Sequence, residues 1–435
     1  MNFPPASSSI APLFIAMVLL IGCSSDPKKE TKDVPTREKP RVIVSTDIGG
    51  TDPDDFQSMI HYLMYADKFQ TEGLISSPYG SGTKEHILQM IDLYEKDLPK
   101  LQQHADFPAP GILRAVTKQG AKDAAPARGW DQPTEGSQWI IEKAKMDSDQ
   151  PLWVLVWGGI EDVAQALHDA PEIAAKIRVY WIGGPNKKWS VHSYQYIARN
   201  FPDLWMIEAN STYRGWFLDA DAQPEMDNDN FYEHMIKDKG AFGADFGNYY
   251  KGSIKMGDTP TVAYLLNGDP NNPEGESWGG SFTPLPYGAV RNFKQQTTAA
   301  DTVPTYSFME WTFDTGETEG VENPEIWMEI ARQRIKGFYE GNGVYKVRFV
   351  PQKIGKWEYV IGSTSKQLNG QNGAFVSANP WPGTENPDNI PLNNWWSDRT
   401  GEDLYIGEYQ GAKTVSKWRE DFLTDWAERF SWLEE

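Results

Sequence analysis

The sequence predicts an α/β fold, a largely parallel open sheet with helices on both faces, joined to a small β-sandwich. Two observations carry this. From Arg41 onward, near-continuous apolar runs alternate with segments of helical periodicity, the pattern of strands covered on both faces by crossover helices. Near Thr305 the texture changes to short alternating segments punctuated by Gly and Pro, as in antiparallel sheets. The length of 435 residues leaves room for more than one domain and a large core.

Along the chain, "RVIVSTD", "TEGLISS", "PLWVLVWGG", "RVYWIGG" and "LWMIEAN" read as buried strands. Between them, residues 53–66, 84–101, 160–168 and 172–176 read as helices, so an α/β domain is expected over residues 41–304. A sandwich is expected over 305–377, where "YSFMEWTFDTG" and "GFYEGNGVYKVRFVPQKIGKWEYVIGST" alternate apolar and polar residues. Residues 378–435 hold a Pro/Asn/Trp-rich loop and then a helix whose apolar positions Val415, Trp418, Phe422, Trp426 and Phe430 follow helical spacing. Such a helix is not stable alone. It is expected to pack back on the α/β domain, which makes the sandwich an insertion. No internal repeat is present.

Composition narrows the function. A net charge of -20 argues against nucleic acid as a partner, because that affinity rests on basic side chains neutralising phosphates. The 18 Trp, 19 Tyr and 19 Phe offer flat faces suited to sugar C–H surfaces, although core packing accounts for most of them. The N-terminal run "APLFIAMVLLIGC" is too short to span a bilayer. It resembles a bacterial lipoprotein signal over residues 1–22, with Cys23 acylated. That residue is the sole cysteine, so the mature domain has no disulfide. Residues 23–40 are polar and read as a tether. The expected location is extracytoplasmic, on a lipid anchor.

The chemistry concentrates in "VIVSTDIGGTDPDDFQSMIHYL", where Asp47, Asp52, Asp54 and Asp55 crowd the end of the first strand. In one reading they start a helix. Asp52 serves as N-cap, Pro53 takes the first helical position, and Asp54 and Asp55 complement the dipole. That leaves Asp47 unexplained. In the other reading a cation offsets the repulsion, since Ca²⁺ takes several carboxylate and carbonyl oxygens. The local sequence leaves both open. Ligands in open α/β sheets bind at the carboxyl ends of strands, which is where this cluster lies.

"STDIGGTDPDD" resembles the aspartate signature of the nucleoside hydrolase superfamily, and more closely that of its bacterial nucleoside-hydrolase-like branch, sometimes described as cellulose-binding. Further motifs fall in order from about residue 41 to 282. "WVLVWGGIEDVAQAL" resembles the family's strand, turn and helix whose backbone carbonyl reaches calcium, with Glu161 at that position. "WIGGP" resembles the family's Met-Gly-Gly strand end. "MIEANSTYRG" is similar to the Glu-x-Asn element that holds sugar hydroxyls, with Glu208 and Asn210 matching. "IKMGDTPTVAYLL" resembles the element supplying a late carboxylate ligand, with Asp258 matching.

The resemblance implies Ca²⁺ held by Asp47, Asp55, Asp258 and Glu161. It implies Asp47 as general base and Asp54, Glu208 and Asn210 on the sugar. Hydrolysis would invert the anomeric centre, since one carboxylate activates water. Three departures stand out: Ser45 replaces the signature's first Asp, the interval from Asp47 to Asp54 is longer, and Gly257 replaces the family's His. The sandwich resembles Ig-like modules beside glycoside hydrolases.

Asn186 and Trp278 are further candidates for substrate contact, the first after a strand and the second in "WGGSF". His192 is the best-placed histidine. The leaving-group acid stays open among Lys255, a Tyr and a Glu of the sandwich. No nucleophile elbow and no phosphate loop occurs, since "GSGTK" lacks the spacing. The leading expectation is a calcium-dependent glycosidase acting on an extracytoplasmic sugar conjugate. The alternatives are a non-catalytic carbohydrate-binding lipoprotein and an extracytoplasmic nucleoside hydrolase.

Overall fold

A computed structural model describes residues 38–77, 79–218, 223–317 and 322–434. Residues 1–37, which contain the signal-like segment, Cys23 and most of the tether, lie outside the described residues. The chain from Lys39 to Glu435 forms one unit by its internal contacts.

The central sheet uses β1 (Arg41–Thr46), β2 (Gln70–Ser76), β3 (Thr117–Gln119), β4 (Leu152–Val156), β5 (Ile177–Ile182) and β6 (Trp205–Ala209), all parallel. Beyond β6 it takes in β7 (Phe282–Pro284) and a late strand at Trp395–Asp398. From one edge the order is β3, β2, β1, β4, β5, β6, the late strand, β7. The late strand runs parallel to β6, and β7 is antiparallel to it. Strand order therefore reverses between β1 and β4. That opens a crevice at their carboxyl ends, the usual ligand position in such sheets.

Strand alternation divides the core. Val42 and Val44 of β1 face one apolar cluster with Leu155, Tyr180 and Ile207, while Ile43 faces the other with Val154, Val156 and Val179. Helix α1 (Asp54–Met64) buries Met59, Ile60 and Leu63 in the first cluster. It starts at Asp54 with Pro53 as N-cap, and no side chain caps it. Asp52 is exposed, so the expectation that it caps the helix is corrected. The helix relies on the two first-turn carboxylates instead.

The C-terminal helix Arg419–Ser431 packs into the same cluster through Phe422, Trp426 and Phe430. Trp216 stacks on Phe422 with ring centroids 3.7 Å apart, and Arg429 pairs with buried Asp67 at 2.6 Å.

The sandwich has a five-stranded and a four-stranded sheet around Trp311, Met328, Val347, Ile361 and Phe375. Val290–Phe293 pairs with Phe308–Asp314, and Thr302–Pro304 pairs with Asn372–Ala378. The sandwich thus begins ahead of residue 305, because two short strands complete its sheets. It docks beside the carboxyl end of β5: Gln352 Nε2 donates to the Pro185 carbonyl at 2.6 Å, and Lys188 Nζ to Gln333 Oε1 at 2.7 Å. "NNWWSD", expected as loop, supplies the late sheet strand. Short Asn-flanked segments carry little periodicity, and here the neighbouring strands impose the pairing.

Candidate functional site

The site is built on the turn after β1. Thr46, the last strand residue, is fully buried, and its hydroxyl donates to Asp55 Oδ1. The hydroxyl oxygen of Thr46 in turn accepts from Ile48 N at 3.1 Å. Gly50 N donates to the Asp47 carbonyl at 2.8 Å and closes the turn. Gly49 has φ 81°, and a Cβ there would stand 2.4 Å from the His86 ring. Asp47 leans across the crevice onto the turn after β4, where a Cβ on Gly158 would come within 2.5 Å of its carboxyl carbon. The close approach of β1 and β4 is therefore what sets Asp47.

A carboxylate oxygen from each of Asp54, Asp55 and Asp258 lies within 4.8 Å of the others. Asp258 comes from far along the chain, as N-cap residue of the helix Thr259–Leu266. Asp55 and Asp258 are each 4% exposed, and Asp258 Oδ2 is buried with no hydrogen-bond partner. Burial first, then mutual repulsion, pushes the Asp55 and Asp258 carboxyls well above the usual range. Asp54 is pushed up to about 7 by burial and by Asp52 and Asp47, with Lys255 opposing. Asp47 rises to about 6, chiefly through burial, while hydrogen bonds from its own backbone and with Asp55 hold it down. Hard oxygen donors, an orphaned carboxylate oxygen and strained ionisation together suit a divalent cation bound through oxygen. Asp54, Asp55 and Asp258 are the residues placed to hold it, with Asp47 adjacent to Asp55.

These carboxylates open onto a cavity of about 340 Å³. Tyr79, Trp157, Tyr213 and Phe217 form aromatic walls, and Trp189 stands at the rim, 38% exposed. Arg214 and Lys255 are its basic members. Asn186 lines it too, but both its amide hydrogens are engaged, by the Trp157 carbonyl at 2.6 Å and the Ile182 carbonyl at 2.9 Å. Only its carbonyl oxygen is left to face a ligand.

Asp47, expected on the metal, lines the same cavity beside Asp55. Asp54, expected on the sugar alone, belongs to the group able to share an ion, and Asp47 stands just outside it. Glu161, expected to reach the metal through its backbone carbonyl, turns its carboxylate to Ser190 Oγ, which donates to it at 2.9 Å and lies 3.4 Å from Tyr79 Oη.

Glu208 and Asn210 do not line the cavity. Both are fully buried, Glu208 pairs with Lys187, and Asn210 Nδ2 donates to Glu208 Oε1 at 2.7 Å. Glu208 Oε2 and Asn210 Oδ1, from the side chains expected on the sugar, are buried without a hydrogen-bond partner. Trp278 is partly buried against the core and absent from the cavity lining. His192 faces the sandwich, with Arg348 Nη1 at 3.0 Å from its Nδ1. No sandwich Glu lines the cavity among the described residues.

Sequence reasoning passed over Tyr79, Trp189, Tyr213, Arg214 and Phe217. Tyr213 and Arg214 follow the end of β6, and Trp189 ends the short helix Gly183–Trp189 after β5. The general position of sites at strand carboxyl ends was the available signal.

An acid cluster and an aromatic-walled cavity at the switch point of a parallel sheet define a protein of nucleoside hydrolase-like architecture. Residues 41–282, more than half of the chain, match the family described as "Cellulose-binding Sde182, nucleoside hydrolase-like domain", and the chain belongs to that family. Residues 302–364 match a domain of unknown function, DUF5060.

Among solved structures, the chain is similar to a nucleoside hydrolase-related hypothetical protein from Saccharophagus degradans, associated with carbohydrate metabolism. The identity is 20%, over 78% of this chain and 99% of that one, with TM-score 0.49. A purine-preferring ribonucleoside hydrolase from Gardnerella vaginalis matches at 15% identity over 57% and 83% of the two chains, with TM-score 0.35. An inosine-uridine preferring nucleoside hydrolase from Bacillus anthracis matches at 18% over 52% and 81%, with TM-score 0.30. No curated protein matches the chain.

Proposed function

We propose that the protein is a calcium-dependent glycosidase acting on a sugar conjugate outside the cytoplasm. The observation that carries the reading is the convergence of Asp54, Asp55 and Asp258 within 4.8 Å of one another at the floor of an aromatic-walled cavity. Family membership supports hydrolysis at an anomeric carbon, and the family description supports a carbohydrate ligand.

Calcium would be held by Asp54, Asp55 and Asp258, with the Glu161 backbone carbonyl as a neutral ligand, and would supply positive charge that polarises sugar hydroxyls and water. Asp47, with its carboxyl raised to about 6, is ionised at neutral pH yet basic enough to accept a proton. It is the general base of this reading. Tyr79, Tyr213 and Lys255 are the cavity groups able to give a proton to the leaving oxygen. Trp189 at the rim offers a face for a sugar ring. Acylation of Cys23 and the extracytoplasmic location belong to the same proposal.

A second reading, carbohydrate binding without turnover, is favoured by one observation. The carboxylate expected to fix the ring, Glu208, is paired through one oxygen with Lys187.

The test is calcium binding by calorimetry together with a glycan screen for released reducing sugar. Calcium-dependent turnover lost in Asp47→Asn supports the glycosidase. Calcium-dependent sugar binding with no turnover supports the second reading. Absence of calcium binding overturns the glycosidase, and sugar binding without turnover that a chelator leaves unchanged supports the second reading.

A further inference from the structure

We infer that the cavity contains an oxyanion subsite centred on Arg214, with Lys255 as its second cation, so that the sugar it takes carries a carboxylate or a sulfate or phosphate ester. The inference rests on the cavity being the sugar site.

Arg214 is distinct among the arginines that are buried or half-buried. Arg41 and Arg429 each pair with a buried carboxylate at 2.6 Å. Arg348 pairs with Glu310 at 2.7 Å, and Arg419 donates to the Trp216 and Met226 carbonyls and to Asn228 Oδ1 at 2.6–2.7 Å. Arg214 instead lies between two rings, its guanidinium carbon 5.1 Å from the Tyr213 centroid and 4.7 Å from that of Tyr409. Its Nε is buried without a partner, and it makes no ion pair among the described residues. A chain with 61 acidic and 41 basic residues has carboxylates to spare, so a half-buried guanidinium left unpaired toward a cavity is not explained by scarcity.

The charge is not committed to the aspartates either. Lys255 is the cation that acts on Asp54, whereas the charged and ionisable groups around Arg214 are Tyr213, Tyr306, Tyr409 and Glu408. Lys255 Nζ rests 4.2 Å from the Phe217 ring centroid and likewise makes no ion pair among the described residues. The two rings flank the guanidinium, and no side chain among the described residues forms an ion pair with it. A planar fork of N–H groups matches an oxyanion through two parallel hydrogen bonds, and a nearby ammonium adds a point charge. The aspartates that share the cavity are near enough to repel an oxyanion. Calcium held among them would offset that charge, so the oxyanion is expected to bind the calcium-saturated protein.

The test measures binding to the full chain in saturating calcium by calorimetry or ligand-detected NMR. The probes are methyl glucuronide, methyl glucoside and glucose 6-sulfate. Charged probes are expected to bind tighter than methyl glucoside, and Arg214→Gln is expected to weaken them about 10- to 100-fold, the loss typical of a charge-assisted contact. Methyl glucoside should bind both proteins alike. The glucuronide and sulfate arms show which oxyanion is preferred.

Lys255→Gln, at a partly exposed position, gives a second variant. It should weaken the charged probes to a smaller degree while the melting temperature holds. Equal affinity of wild type for charged and neutral probes, or a charge preference that survives Arg214→Gln, overturns the subsite and leaves the sugar site standing. If no probe binds the calcium-loaded protein, the subsite and the sugar site fall together.

Discussion

Lys187 and Glu208 form a salt bridge in which neither side chain is exposed. The ammonium also lies 4.2 Å from the Trp381 ring centroid and 4.5 Å from that of Tyr194, and it donates to the Tyr306 carbonyl at 3.3 Å. Burial lowers the lysine's pKa, and Glu208 opposes that shift. Lys187 belongs to the helix after β5, Glu208 to β6, Tyr306 to the edge of the sandwich and Trp381 to the C-terminal segment. One buried charge pair therefore ties together the sheet, the sandwich and the chain's return.

Replacing Lys187 by Met strands the Glu208 carboxylate, whose Oε2 already has no partner. Breaking a buried pair from one side costs roughly 3–5 kcal/mol. Lys187→Met is expected to lose about that much in denaturant unfolding, and Lys187→Met with Glu208→Gln to recover most of it. A double variant no more stable than the single one would show that the lysine acts through packing alone.

Asp258→Asn removes one of three carboxylates crowded within 4.8 Å. Without calcium it should unfold at a higher temperature than wild type, because repulsion and a buried charge are relieved together. With calcium the order should reverse. Ligand at a hundred times its Kd stabilises by about 2.7 kcal/mol, and the variant forgoes that gain. Thermal unfolding of both proteins, with chelator and with excess calcium, checks the crossing.

The sheet and the acid cluster were legible because each has a local signature. Five apolar runs gave β1, β2, β4, β5 and β6, and the Asp47–Asp55 crowding sat where one strand stopped. The site's other half was not. Arg214, Trp189 and Tyr213 reach the cavity through the turns after β5 and β6, and nothing in their spacing distinguishes them from core aromatics. The resemblance placed Glu208 on the sugar, but a residue one helix away, Lys187, decides whether that carboxylate is free. The late strand Trp395–Asp398 was hidden for the same reason, since its partners lie far away in sequence. Asp398 shows how strong that distant tie is: its carboxylate accepts from the backbone amides of Asn210, Ser211 and Thr212 at 2.8–3.2 Å, fixing the turn that leads to Arg214.

Gly158 is held to its identity by Asp47. A Cβ there would stand 2.5 Å from both the carboxyl carbon and Oδ1 of Asp47, closer than such atoms can approach. Gly158→Ala should cost ~1–3 kcal/mol of stability. By displacing the general base it should also lower turnover on the order of 10²-fold, with calcium affinity changed less. A variant that keeps wild-type turnover would remove Asp47 from that role.

The calcium-free protein should be more stable at pH 5 than at pH 8. Burial raises the Asp47 carboxyl to about 6 and that of Asp54 to about 7, and it holds Asp55 and Asp258 well above the usual range. The folded state thus keeps protons that the unfolded chain releases near 4. The stability this confers is fully present below the unfolded value and is lost as pH rises through 6 and 7. The melting temperature in chelator is expected to fall on the order of 5 °C between pH 5 and pH 8. Saturating calcium favours the ionised carboxylates and should flatten or invert the slope. In chelator, buried His61 and half-buried His192, lowered by burial to about 3 and about 4, pull the other way over the same range. The cluster's share is therefore the change in slope that Asp258→Asn produces, and an unchanged slope would remove Asp258 from the titrating group.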